Sequence, residues 1–462
     1  MKFVISFLLL LITGTSATAQ DITGDWYGIL NVQGTQLDVV FHIAETEEGY
    51  ATTMDSPKQN AYGIPIDSTS FNNNTLLLKA PNAGGMTYEG ILKNSGINGT
   101  FKQGGMQLPL DLSRAKPIST SEEVNRPQEP KRPFPYVEEE VSFENIEESV
   151  TLAGTLTLPA KEGTFPAVVL ITGSGPQDRN EEILGHKPFL VLSDYLTRNG
   201  IAVLRYDDRG VGKSTGKFAG ATTANFANDA RAAVEFLKNR KEIDSEKIGI
   251  IGHSEGGMIA PMLAANDKDI SFLVLLAAPG VGGDKILLSQ KEKLERKSGV
   301  PERVLQQSQE IFRGAYDIIL EMEPGEQMYT AVFNHFKAKF GPEVKEETIT
   351  QISKQLVDPW TVAFVKHDPA VALKKIEVPV LAINGKNDFQ VISEINLPAI
   401  EKALEEAGNN NLTIKNYDKL NHLFQESESG LSTEYEEIEQ TMAPEVLKDV
   451  TTWILETIQK RD

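Results

Sequence analysis

Cysteine is absent from all 462 residues, which rules out disulfide staples, a lipid-modified cysteine and a thiol nucleophile. Positive charge is scarce as well: 45 Lys and Arg stand against 65 Asp and Glu, for a net charge of −20. No basic stripe exists to neutralise phosphates, so nucleic acid is not an expected partner. The acidic residues are spread along the chain without a long acidic tail, the pattern of an acidic, solvated surface. A membrane-spanning run is missing too. The opening apolar run from Phe3 to Ile12, behind Lys2, is too short to cross a bilayer, and Ala17-Thr18-Ala19 follows it as an A-x-A cleavage pattern. Residues 1–19 therefore read as a signal peptide. The mature protein is expected to be periplasmic or secreted, and not to associate with a membrane once the signal is removed.

The length exceeds what one ordinary core accommodates, so at least two domains are expected. Residues 20–115 carry short alternating runs between Gly-rich turns, as in DWYGILNVQGTQLDVVFHI, and Leu108, Leu110 and Leu112 share one face. That reads as a small all-β domain, a sheet or a barrel. Residues 116–136 are rich in proline and charge and nearly free of apolar side chains, which reads as a linker. From residue 137 to 462 strands alternate with helices, which implies a mostly parallel sheet covered on both faces. Roughly ninety residues, about 280–377, interrupt this rhythm between FLVLLAAP and VPVLAING. One crossover helix needs far fewer, so the segment is expected to form a helical cap over the site.

A polar triplet stands out in GIIGHSEGGMIAPMLAA, between a buried strand and an Ala-rich helix. Gly252-His253-Ser254-Glu255-Gly256 has the form G-x-S-x-G, the nucleophile elbow of the α/β-hydrolase fold, where a strained turn lifts the serine above the sheet. The helix N-terminus beside it favours developing negative charge. A serine hydroxyl needs a base to take its proton, and the base needs a carboxyl to hold its tautomer. In this fold the chain order is serine, acid, histidine. Only His335, His367 and His422 follow Ser254, and His422 sits in the loop after the last strand, where the base belongs. Asp388, directly after the strand VLAING, is the expected acid. Asp418 ranks second, and Asp358 and Asp368 of the cap region rank below both. The oxyanion needs backbone donors. The amide of Glu255 is one, and the Gly-rich loop Gly173–Arg179 supplies the other through Ser174, with Gly175 as the alternative. No P-loop lysine follows that loop, so it is not read as a phosphate site.

With GSGPQDRN, RYDDRGVGKSTG, GHSEGGMIAP, NGKNDFQV and NHLF in place, residues 137–462 resemble the bacterial secreted α/β-hydrolase esterases. GDWYGIL and MDSPKQNAYGIPI resemble the small β domain that precedes the hydrolase in many of them. The resemblance implies a carboxylesterase acting on small, short-acyl esters, with no metal and no organic cofactor. It carries over Ser254 as nucleophile, Asp388 as acid and His422 as base. It also gives Asp207, Asp208 and Arg209 a structural role, with Arg209 paired to a carboxylate. Asn180 departs from the family loop, where an acidic residue is common, while Asp178 and Arg179 remain to fix the loop.

Two other readings compete. Arg209-Gly210-Val211-Gly212-Lys213-Ser214 and GHSEGG are also similar to the prolyl-oligopeptidase-like group, which makes a serine aminopeptidase the alternative. About a hundred N-terminal residues cannot supply the β-propeller of those oligopeptidases. Glu295, Glu302, Glu310, Glu321 and Glu323 of the cap are then candidates for binding a substrate ammonium. A catalytically dead binding module is the third reading, against which the complete serine, acid and histidine order argues. The pocket, rather than the triad, sets the acyl and leaving groups. The sequence assigns no oligomeric state.

Overall fold

A computed structural model describes residues 21–460, apart from 33–34, 47–48, 58–60, 82–84, 94, 104–105, 116–124 and 343. The expected signal peptide lies outside the described residues. The chain divides into two compact units, Met1–Thr120 and Ser121–Asp462.

The first unit is antiparallel throughout. Its strands are β1 (Gly24–Val32), β2 (Thr35–Thr46), β3 (Gly49–Ser56), β4 (Ala61–Asn72), β5 (Thr75–Ala80), β6 (Met86–Lys93), β7 (Gly96–Gln103), β8 (Met106–Pro109) and β9 (Leu112–Ser113). Each pairs with the next as far as β8, while β9 pairs with both β7 and β1. The ring closes, so the small domain is a barrel rather than an open sheet. Alternation sorts its side chains: in β6, Met86, Tyr88 and Leu92 are buried while Glu89, Ile91 and Lys93 are exposed. Trp26 of GDWYGIL fills the interior and donates its indole N–H to the Ile22 carbonyl at 2.8 Å.

The second unit holds an eight-stranded sheet among the described residues. Its strands are β10 (Val137–Asn145), β11 (Val150–Leu158), β12 (Phe165–Ile171), β13 (Ala202–Tyr206), β14 (Ile243–His253), β15 (Ile270–Leu276), β16 (Val380–Gly385) and β17 (Leu412–Tyr417). Their order is β10-β11-β13-β12-β14-β15-β16-β17, with β10, β11 and β13 meeting antiparallel and the remaining pairs parallel. This is the α/β-hydrolase arrangement. The helices α1 (Pro188–Arg198), α2 (Thr223–Lys238) and α3 (Glu255–Ala264) flank the sheet. Ala230 and Val234 of α2 and Ile259 and Leu263 of α3 pack on one face, and Phe189, Leu192 and Leu196 of α1 on the other. Both faces are therefore dry, which explains why the central strands read as continuous apolar runs.

Between β15 and β16 lie α4 (Gly283–Lys297), α5 (Glu302–Glu321), α6 (Glu326–Lys339), α7 (Glu346–Leu356), α8 (Pro359–Lys366) and α9 (Ala370–Leu373). Ile311, Ala315 and Ile319, spaced by four along α5, meet Met328, Val332 and Phe336 of α6 in a core of their own. After β16 the chain continues through α10 (Ser393–Glu406), β17 and α11 (Pro444–Gln459).

The linker reading of 116–136 changes from Arg126 onward. Arg126 donates to the carbonyls of Gly185 (3.3 Å), Leu184 (3.3 Å) and Glu436 (2.9 Å), and Gln128 bonds the backbone of Thr441 and Met442. Few apolar residues are needed here, because charged and polar side chains satisfy loop carbonyls and amides instead.

Arg209 is buried in the turn after β13. Its guanidinium meets Asp229 of α2 through two bonds, Nε to Oδ2 at 2.7 Å and Nη2 to Oδ1 at 2.8 Å, and also Glu148 at 2.6 Å. Removing one partner of such a buried pair leaves an uncompensated charge. Arg209→Met is expected to lower the unfolding free energy by about 3–5 kcal/mol, read from the urea midpoint. A loss under about 1 kcal/mol would mean the pair behaves as a surface ion pair.

Candidate active site

β14 ends at His253 and α3 begins at Glu255, so Ser254 alone reverses the chain, at φ 52° and ψ −116°. For a residue with a side chain this backbone is costly, on the order of 1–3 kcal/mol, and it persists only where its surroundings impose it. The two motif glycines show how. A Cβ on Gly252 would lie 2.1 Å from the Gly256 carbonyl oxygen, and one on Gly256 would lie 2.2 Å from that of Ile171. Helix α3 is thus drawn onto β14 and β12 closer than any other residue allows. The Ser254 amide donates to Leu276 of β15 at 2.9 Å, which ties the turn to the neighbouring strand.

Asp388 lies in the loop after β16 and is fully buried. Its Oδ1 accepts the amides of Gln390 (2.7 Å) and Val391 (3.0 Å), and its Oδ2 meets Nδ1 of His422 at 2.8 Å. The carboxylate can only accept, so the shared proton sits on Nδ1 and leaves Nε2 as the acceptor a base requires. Ser254 and His422 line one cavity of about 210 Å³ together with Gly173 and Ser174. The remaining candidates stand elsewhere. Asp418 is exposed and paired with Lys386 at 2.6 Å. His335 bonds the Ile311 carbonyl inside the cap. Asp358 caps α8, and Asp368 accepts the Ala370 amide.

The loop after β12 reaches the serine directly. A Cβ on Gly173 would lie 3.2 Å from that of Ser254. Ser174 follows it at the cavity wall, and its hydroxyl bonds the Glu255 carboxyl. Glu255 opens α3, where the first amides of a helix have no acceptor within it. Asp178 and Arg179 hold this loop: Asp178 accepts the amides of Asn180 and Glu182, and Arg179 bonds Asp207 at 2.8 Å and Glu140 at 3.0 Å. Burial pushes the Asp207 carboxyl upward, but its bonds to Arg179 and two backbone amides outweigh that and leave it below the usual range. Asn180 bonds Asp178 and accepts from Arg205, filling the departure from the family loop with a neutral amide.

Further residues stand beside the site that no sequence motif singles out. Trp360 of the cap helix α8 donates its indole N–H to both carboxyl oxygens of Glu255, at 3.0 and 3.1 Å. Burial raises the Glu255 carboxyl, with the bonds from Thr223, Ser174 and Trp360 opposing. Glu181 and His253 are buried together at 2.8 Å, and His253 Nε2 meets the His422 carbonyl at 3.0 Å. His253 stood in plain view within the elbow motif, although that motif leaves its position unspecified. The cap also touches the acid loop, where Lys293 Nζ donates to the Asp388 carbonyl at 2.9 Å. Among the described residues no group of three or more His, Asp and Glu is arranged to hold a metal ion. Among them, too, no helix is long and apolar enough to cross a membrane.

Comparison with known proteins agrees in fold and in class. The family described as serine aminopeptidase, S33, matches residues 188–428. The chain is 30% identical over 326 residues to the esterase EstD of Thermotoga maritima, covering 69% of each protein. It is 29% identical over 209 residues to the bifunctional esterase/perhydrolase DCH of Acinetobacter calcoaceticus, covering 44% of this chain and 69% of that one. Among solved structures, a Pyrococcus furiosus esterase aligns at 18% identity and a TM-score of 0.38, over 61% of this chain and 83% of its own. The chain belongs to the serine aminopeptidase S33 family and is an α/β-hydrolase enzyme of the serine-hydrolase type.

Proposed function

We propose that this protein hydrolyses carboxylic esters of small acids through an acyl-serine intermediate, with Ser254 as nucleophile, His422 as base and Asp388 as its partner. The observation that carries the reading is the shared cavity: Ser254, on a strained elbow, lines it together with His422, whose Nδ1 is engaged by a buried carboxylate 2.8 Å away. The names of the similar esterases support the substrate class. The chain is a carboxylesterase-type serine hydrolase.

The steps follow from this geometry. Nε2 of His422 takes the Ser254 proton as Oγ attacks the ester carbonyl carbon, and Asp388 stabilises the imidazolium that forms. The carbonyl oxygen becomes an oxyanion that accepts from the Glu255 and Ser174 amides. The tetrahedral species collapses, His422 returns the proton to the departing alcohol, and the acyl group remains on Ser254. A water molecule, deprotonated by His422, attacks the acyl carbon and releases the acid and the serine hydroxyl. No step draws on a metal or an organic cofactor. The basic, apolar opening of the chain supports export of the enzyme to the periplasm or beyond.

The cap side of the cavity is largely apolar, with Ile286, Leu287, Trp360 and Phe364 on its walls, which suits a short acyl chain better than an ammonium. Serine aminopeptidase activity is the second reading, favoured by the family's description. Among the described residues, none of the five cap glutamates lines the cavity. Glu295 is paired with Lys291 and bonded by Ser308, Glu302 meets Arg296, and Glu310, Glu321 and Glu323 face solvent.

Purified mature protein is expected to turn over p-nitrophenyl acetate and butyrate and to leave alanyl and prolyl p-nitroanilides intact. Ser254→Ala should remove ester turnover by roughly a millionfold, and Asp388→Asn should lower kcat by roughly 10⁴-fold with the fold retained. Efficient anilide cleavage would move the assignment to the aminopeptidase. Ester turnover that survives in Ser254→Ala would refute the nucleophile.

Trp360 gives the acyl side its own test. Trp360→Ala is expected to raise kcat/KM for octanoate relative to butyrate by about tenfold, within what apolar pockets discriminate per added carbon. An unchanged ratio in a variant with native circular dichroism would place the acyl chain elsewhere in the cavity.

A further inference from the structure

Beside Ser254 lies a buried ionisable pair that the proposed mechanism does not use. His253 ends β14 immediately before the nucleophile, 4% exposed, and Glu181 lies 3% exposed in the loop after β12. Glu181 Oε1 makes two contacts at once: it accepts the Gly173 amide at 2.7 Å and meets His253 Nδ1 at 2.8 Å. On the far side of the ring, Nε2 meets the carbonyl of His422 at 3.0 Å, and the two imidazole rings stand 4.7 Å apart. One carboxyl and one imidazole thus touch the oxyanion loop, the elbow and the base loop together.

The chemistry of these contacts fixes their protons. A carbonyl only accepts, so Nε2 must carry hydrogen. The contact between Nδ1 and Oε1 then needs a second proton, whether the pair is written as carboxylate with imidazolium or as acid with imidazole. In either form the pair is neutral overall, all its contacts are satisfied, and the bond to the His422 carbonyl is kept. Burial works against charge on His253, but the Glu181 carboxylate and the two hydrogen bonds prevail and raise the imidazole above its ordinary value. The backbone is built around the pair at some cost, since Glu181 has a left-handed φ of 53°.

We propose that Glu181 and His253 form a second, non-reacting carboxylate–imidazole pair that holds the base loop and the oxyanion loop in register with Ser254. They are positioning residues for acyl transfer, and their role rests on the assignment of Ser254 and His422 made above. Through His422 the pair acts on the backbone of the base, leaving both ring nitrogens of His422 to Asp388 and the substrate. Through Gly173 it fixes the residue before the Ser174 amide. Truncating Glu181 leaves two groups without their partner at once, the Gly173 amide and His253 Nδ1.

The test compares the full chain with Glu181→Ala, Glu181→Gln, His253→Phe and the double variant Glu181→Ala/His253→Phe. Each is checked for native circular dichroism and assayed with p-nitrophenyl butyrate. In Glu181→Ala and His253→Phe, kcat should fall on the order of 100-fold, as expected when catalytic groups are misplaced, while KM stays within about twofold. The double variant should be no worse than the poorer single one, since the two residues act as a unit. Glu181→Gln, whose amide oxygen still accepts from Gly173, should recover part of the loss. The low-field proton resonance of the His422–Asp388 bond should shift or broaden in each impaired variant. Folded variants with native kcat and an unmoved resonance would overturn the proposal, as would losses that multiply in the double variant. If the unmodified protein turned over no ester, the functional assignment would fail instead. The resonance would still decide whether the pair sets the position of His422.

Discussion

A serine forced to φ 52° stands only where strand and helix are clamped on either side, and the organisation of the second unit follows from that clamp. The carbonyls of Ile171 and Gly256 occupy the space a methyl group would need, so α3 packs against β12 and β14 backbone to backbone. That contact places the first amides of α3 next to Ser254, at the end of the helix that favours negative charge. The parallel order β12-β14-β15-β16 then brings the loops after those strands to the same edge of the sheet. Gly173, Ser254 and Asp388 all leave the sheet at that edge.

Acids crowd this edge, which would oppose the oxyanion of the proposed mechanism. Two unit charges 4 Å apart interact by about 4 kcal/mol at an effective dielectric constant of 20. Each acid is managed differently. Asp388 spends its charge on two backbone amides and His422. Glu181 is matched by His253 within a neutral pair. Glu255 and Asp208 are pushed upward by burial, toward the neutral acid, and donors surround both: Thr223, Ser174 and Trp360 for the first, the Gln177 amide and Thr172 for the second. Each acid is thus neutralised or turned toward donors, which limits its repulsion of the oxyanion in the proposed mechanism.

How much of this was legible in the sequence depends on the distance between the residues involved. Local signals carried far. Glycines at fixed offsets from Ser254 between an apolar strand and an Ala-rich helix specify the elbow, and Asp388 and His422 could be singled out because each follows a strand in chain order. The barrel was legible only as alternation, since its closure depends on the two-residue β9, too short to register as a strand. β14 begins at Ile243, earlier than the run KIGIIG suggests, because its first turns of sequence are charged and its pairing with β12 shifts register there. Glu181, His253 and the His422 carbonyl are separated by 72 and 169 positions, and no spacing rule relates them. The same holds for Trp360 and Glu255, 105 positions apart.

Among the described residues, Lys293 and Trp360 join the cap to this edge by polar contacts that differ in kind. Lys293 reaches only the carbonyl of Asp388, whose carboxylate is oriented by amides of its own loop. The Asp388–His422 contact is therefore oriented mainly by loops of the sheet. Trp360, in contrast, binds the side chain of the residue whose amide opens α3, and its ring forms part of the cavity wall. A shift of α8 would pass to Glu255 and Ser174, and thus to the oxyanion side of the site, before it reached His422. In the proposed mechanism, cap contacts therefore bear on carbonyl polarisation more directly than on proton transfer. Chain order reflects this division: the cap lies between β15 and β16, after the elbow and before the acid loop.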